Sequence, residues 1–169
     1  MKVKVEYLIL IGIIAALAVY LSVRSTDRTL YELPTIAEVA AKDITRIEIS
    51  RTGAKISLSK KDEAWLLQPQ GYPVDPGRIE AILSTVSTLK ATALASESKD
   101  YQRYELDEER KIHVRAWSGD SVKRDFEIGK AAPSFRHTFI KLDDDHRVFH
   151  ARDNFRNKFD LDAACLLYT

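Results

Sequence analysis

Seventeen consecutive uncharged residues, YLILIGIIAALAVYLSV from Tyr7 to Val23, constrain this chain more than any other feature. Lys2, Lys4 and Glu6 precede the run, and Arg24, Asp27 and Arg28 follow it. As an α-helix rising about 1.5 Å per residue it is roughly 25 Å long, slightly under a hydrocarbon core of about 30 Å. Val3 and Val5 extend it, Lys4 and Arg24 can snorkel, and Tyr7 and Tyr20 suit the membrane interface. A helix that is apolar on every side is either buried all round or surrounded by lipid, and the rest of this chain is too small to wrap one at its extreme N-terminus. The run is therefore read as an uncleaved signal anchor. Its anchoring residues are Tyr7, Leu8, Ile9, Leu10, Ile11, Ile13, Ile14, Leu17, Val19, Tyr20, Leu21 and Val23. A cleaved signal peptide is the alternative, because Ala16-Leu17-Ala18 forms a small-x-small site. The apolar run continues well past that site, which favours the anchor. No Cys lies near its end, which excludes a lipoprotein anchor. Flanking charges are nearly symmetrical, but a short N-terminal head ordinarily stays cytoplasmic. The chain is thus expected to be single-pass, with the folded part outside the membrane.

The remaining composition narrows the possibilities further. The chain has 169 residues, 45% hydrophobic and 30% charged, which excludes a disordered tail and a polytopic membrane protein. One Cys excludes a disulfide framework and a cysteine-based zinc site. Lys and Arg (26) nearly cancel Asp and Glu (25), so no global field attracts nucleic acid, and no nucleic-acid partner is expected.

Residues 24–43 read as a juxtamembrane tether, with one or two helical turns possible in TIAEVAAKD. From residue 44 the period becomes two. Ile47 and Ile49, then Ile56 and Leu58, then Trp65 and Leu67 mark a three-strand meander with one buried face. Asp75 as N-cap and Pro76 at the first helical position open a helix with an apolar stripe of Ile79, Ile82, Leu83, Val86 and Leu89. Ala91 to Ser96 is extended, and ESKDYQRYELDEER is a polar connection anchored by Tyr101, Tyr104 and Leu106. KIHVRAW places Ile112, Val114 and Ala116 on one face and His113, Arg115 and Trp117 on the other. Val122 to Ile128 follows, closed by Gly129, and a hairpin runs from Phe135 to Ala151 around Asp143-Asp144-Asp145. Strands, one packed helix, then strands, without βαβ alternation, define an α+β domain of mainly antiparallel sheet over residues 44–162.

Chemistry-bearing motifs are sparse. His137 and His150 can approach across the hairpin, but no HxH, HxxxH or HExxH spacing preorganises a metal site. The three consecutive aspartates lack the alternation and glycine of a calcium loop, and read as a solvated turn. No GxSxG, SxxK or phosphate-binding glycine loop is present. Arg103, Arg110, Lys111, Arg115, Lys123 and Arg124 interleave with acids as an ion-pair surface. The expectation is therefore no catalytic residue, no metal and no cofactor. Trp117 beside a glycine turn is expected to be exposed and, with His113 and Arg115, to offer a contact surface.

The order of elements resembles the bacterial family called domain of unknown function 4340. The likeness is carried by "ITRIEIS", by "AWLLQP", by "PVD" opening a helix, by the step Tyr104-Glu105-Leu106-Asp107, by "EIG" and by "RVFHA". At that step the family often has Gly where this chain has Glu105. The resemblance implies a membrane-anchored envelope protein of undetermined activity, single-pass in the bacterial inner membrane with the folded part periplasmic, and an accessory or scaffolding role through protein contacts. Its expected partners are ABC transporter subunits, of the kind that accompany gliding-motility-type transporters. A binding module for a cell-envelope glycan or small ligand, on the face near Trp117, is the alternative. Residues 163–169, within AACLLYT, are read as a truncated or non-native tail, with a genuine short hydrophobic C-terminus as the other reading.

Overall fold

The computed structural model describes residues 5–24 and 31–166. The chain divides into two units, residues 1–32 and residues 33–169. In the first, Val5–Arg24 form a 20-residue helix, α1. Its side chains are described at Tyr7 and from Ile9 to Tyr20, and the large apolar ones among them are all exposed. Over the residues so described, no helix is long and apolar enough to cross a membrane. The side chains of Leu8, Leu21 and Val23 lie outside the described set, as do Lys2, Lys4 and Arg28.

The second unit is α+β, built on an antiparallel sheet of nine strands. These are β1 (Arg46–Arg51), β2 (Ala54–Lys61), β3 (Ala64–Gln68), β4 (Tyr72–Pro73), β5 (Ala91–Ser96), β6 (Ile112–Ser118), β7 (Ser121–Ala131), β8 (His137–Leu142) and β9 (Val148–Arg152). Their order across the sheet is β4-β3-β2-β1-β6-β7-β8-β9-β5. Two meanders, β1 to β4 and β6 to β9, meet at the β1–β6 seam, and β5 adds itself to the far edge beside β9.

Period-two alternation decides which face is buried. Ile47, Ile49, Ile56, Leu58, Val114, Ala116, Phe126, Ile128, Ile140 and Phe149 all turn to one side and form the main core. Helix α2 (Pro76–Ser87) lies in that core through Ile79, Ile82 and Val86. It starts where the sequence places its punctuation. The Asp75 carboxylate accepts the Arg78 N–H at 2.8 Å, and Pro76 occupies the first turn, where its missing donor is not needed. Phe155, the short helix α3 (Arg156–Phe159) and Leu161 complete the layer.

A smaller cluster forms on the opposite face, where the connection after β5 crosses the sheet. Leu106 packs with Ala132, Phe139 and Val148, with Tyr101 and Tyr104 beside them. The close approach here falls at Gly129, where a Cβ would stand 2.3 Å from the Tyr104 carbonyl oxygen. Gly129 therefore does not close β7. The strand continues through it and pairs Ala131 with Thr138, because a residue without a side chain lets the crossing segment rest directly on the backbone. Glu105, where the resemblance expects Gly, has a left-handed backbone with φ 55°.

Three further parts of the sequence reading can be placed. Within residues 24–43, Arg24 ends α1, and among the described residues 31–43 the helical ones are Ala41–Asp43, one 3-10 turn; the described residues from Leu33 onward fall in the second unit. Ile36 and Val39 pack on the main core, which accounts for this. Arg124 does not join the ion-pair surface: it shares parity with Phe126 and Ile128 and is buried. Its guanidinium donates to the carbonyls of Val86 at 3.1 Å, Lys123 at 3.0 Å and Ala37, and burial alone pulls its pKa down. In the 163–169 tail, Leu166 is fully buried in the core and its carbonyl accepts the Asp75 N–H at 2.9 Å. Residues 167–169 lie outside the described set.

Candidate functional site

The face of the sheet turned away from α2 carries the residues that the sequence singled out. His113 and Arg115 project from β6, opposite Ser50 and Glu48 of β1 on one side and Glu127 and Asp125 of β7 on the other. Directly opposed residues on adjacent antiparallel strands lie close enough for their side chains to pair. Asp125 joins the two: its carboxylate meets His113 Nε2 at 2.5 Å and accepts Arg115 Nε–H at 2.8 Å. Next along the face, Glu127 accepts from Lys111 at 2.7 Å and is paired with Lys141 at 3.3 Å. Lys111 also donates to Glu108. Burial of Lys111 works to lower its pKa, but the bonds to Glu108 and Glu127 outweigh this and leave it raised. The result is a ladder of alternating charge across three strands, with Glu48 and Lys55 extending it at 3.1 Å.

Trp117 occupies a different environment from the one expected. It is 8% exposed, and the Arg46 guanidinium lies over its ring, 4.1 Å from the centroid. The register explains this: Arg46 is its direct partner on β1, and a bulge where Trp117 meets Val122 draws the β6–β7 end together. Of the expected contact surface, His113 and Arg115 are thus presented at the face, and Trp117 lies beneath a cation.

A third carboxylate joins His113 and Asp125 by way of the turn after β8. One ligand atom each from His113, Asp125 and Asp143 lies within 4.8 Å of the others. The Asp143 N–H donates to the Asp125 carbonyl, which fixes the turn against β7. One imidazole and two carboxylates are a donor set that a divalent cation accepts. Here the second Asp125 oxygen already holds Arg115, so a bound cation would compete with a guanidinium. As it stands, the arrangement supplies fixed donors and acceptors rather than a poised nucleophile. The sequence showed the parity of His113 and Arg115, but not Asp143, which arrives through the turn and not by spacing.

His137 and His150 do approach, with ring centroids 5.7 Å apart and the Phe139 ring tilted at 43° to that of His150, 4.7 Å away. His150 Nδ1 is buried without a hydrogen-bond partner among the described residues. Burial, then the neighbouring His137, holds the His150 pKa below the usual imidazole value.

Comparison with known families bears on the same residues. The sequence matches the family described as Domain of unknown function (DUF4340) over residues 65–166, more than half of the chain. The chain belongs to the DUF4340 family. The matched stretch runs from Trp65 in β3 through β9 to Leu166, and so includes α2, His113, Arg115, Asp125 and Asp143. Strands β1 and β2 precede the matched stretch and hydrogen-bond into the same sheet. No curated protein matches the chain, and no solved structure does.

Proposed function

We propose that this DUF4340 chain is a single-pass, membrane-anchored protein whose α+β body lies outside the bacterial inner membrane and works through protein contacts, without catalysing a reaction. The observation that carries the reading is α1. It runs for 20 residues, roughly 30 Å at the usual rise, which is the thickness of a hydrocarbon core. Between Tyr7 and Val23 it offers only uncharged side chains, and the described large apolar ones are exposed to whatever surrounds the helix. In water that surface is costly at about 25 cal/mol per Å² of apolar area, whereas lipid removes the cost. The charge ladder on the sheet supports a contact role, because fixed, alternating charges select a complementary partner surface more than they add raw affinity. An ABC-type transport system of the envelope is the partner that the family resemblance implies.

The test separates anchoring from partnership. Alkaline carbonate washing is expected to leave the full chain in the membrane fraction, and its appearance in the supernatant would overturn the anchor. Purification from detergent-solubilised membranes is expected to bring transporter subunits along. Arg115→Glu, which reverses one rung of the ladder, is expected to reduce that recovery without altering membrane retention.

A further inference from the structure

A second feature lies on the other side of the sheet, independent of the anchor and of the charge ladder. A cleft of about 580 Å³ opens between the last turn of α2, the start of β5, the turn after β9, and α3. This is within the size range of small-ligand sites, roughly 300–1,000 Å³. Leu89 and Phe155, both nearly fully buried, form its floor. Its walls carry hydroxyls and cations.

The three threonine hydroxyls of the lining have used their protons elsewhere, and Ser84 at the exposed rim is the fourth hydroxyl. Thr85 Oγ1–H donates to the Ala81 carbonyl at 2.9 Å, Thr88 Oγ1–H to Ser84 at 2.7 Å, and Thr92 Oγ1–H to His150 at 2.9 Å. A hydroxyl has one donor and two lone pairs, so Thr88 and Thr92 offer a ligand acceptors only. The carboxyl end of α2 adds a partial negative charge that also favours hydroxyl donors.

The cations are Lys90, Arg152 and Lys158, with Asp153 as the acid of the lining. Lys90 is paired with Glu38 at 3.0 Å. Lys158 is half-buried; its ammonium donates to the buried Thr85 hydroxyl at 3.2 Å and has no carboxylate partner among the described residues. Arg152 likewise has no ion-pair partner there. Setting Glu38 and Asp153 against the three cations leaves a single positive charge. Acceptors for hydroxyls together with one unbalanced charge describe a ligand that carries several hydroxyl donors and one anionic group.

We propose that this cleft binds an acidic sugar, with its carboxylate or phosphate at Lys158 and Arg152 and its hydroxyls donating to Thr88 and Thr92. The cleft lies wholly within the folded unit, so the assignment stands or falls apart from the membrane and transporter reading.

Isothermal titration calorimetry on the full chain in detergent micelles tests it, with glucuronate, glucose 6-phosphate, glucose, acetate and inorganic phosphate as probes. Glucuronate or glucose 6-phosphate is expected to bind, and comparison of these two distinguishes a carboxylate from a phosphate ligand. Glucose and the two simple anions are expected to bind at least about tenfold more weakly, since each lacks half of the recognition. Lys158→Met is expected to weaken the binding sugar acid by about tenfold or more, the share of one charge-assisted hydrogen bond. Lys55→Gln, on the opposite face, is expected to leave it unchanged. If Lys158→Met melts early, Arg152→Gln at its exposed position carries the same expectation. Binding of glucose as tight as that of either sugar acid, no binding by either sugar acid, or undiminished binding by the folded cleft variants would overturn the proposal.

Discussion

Gly129 supports the crossing segment by having no side chain. Gly129→Ala would set a methyl against the Tyr104 carbonyl, and backbone rather than a flexible side-chain tip would have to move. The expected cost is about 1–3 kcal/mol, read as a lower urea midpoint at unchanged slope. His150 gives a pH signature. Its pKa is held down in the folded chain, so the folded state binds fewer protons than the unfolded state below about pH 6.5. Stability is therefore full above that pH, falls as the pH drops toward the folded value, and levels off beneath it. His150→Phe is expected to flatten the melting temperature between about pH 7 and 5 while leaving a lower-pH decline that other groups cause. Asp145 is one of those groups. A hydrogen bond from Arg147 holds its carboxyl down, so its contribution is present above about pH 4 and is lost as the pH falls through its folded value. Arg124 shows what residue-by-residue reading overlooks. Within a basic string it looked like surface, although the alternation 124, 126, 128 already set it beside two core residues. Three carbonyls that no sequence pattern announces satisfy its guanidinium.

Helix α2 was the most legible element, because its start is set by local chemistry. Asp75→Ala is expected to cost about 1 kcal/mol by orphaning the Arg78 N–H, measured by chemical denaturation. The strands were legible for a similar reason, since a one-sided core imposes period two on each of them. Their neighbours were not. That β1 adjoins β6, and that β5 adjoins β9, depends on contacts between distant residues, and neither register leaves a mark within one strand. The same limit applies to the sites. His113 and Arg115 share a strand and could be read together, whereas Asp143 reaches them through a turn. The Thr85, Thr92 and Lys158 cleft is assembled from three separate stretches, and no local spacing marks its lysine. Trp117 was misjudged because its cover, Arg46, comes from a strand whose pairing partner the sequence did not disclose.

For the molecule as a whole, the described members of the main core run from Ile36 to Leu166, all within residues 33–169. A chain lacking residues 1–32 is therefore expected to unfold in one calorimetric transition at the same temperature as the full protein. A lower midpoint would mean that the leading helix contributes to the fold. The far edge of the sheet carries a further consequence. β5 is complete at Ser96, but the strand it pairs with among the described residues begins at Val148. A polypeptide delivered N-terminus first must therefore hold a sticky, unmated ribbon until its tail arrives. Whatever handles the nascent chain has reason to chaperone that interval, and a stalled or shortened product would leave the ribbon free to zip onto a stranger.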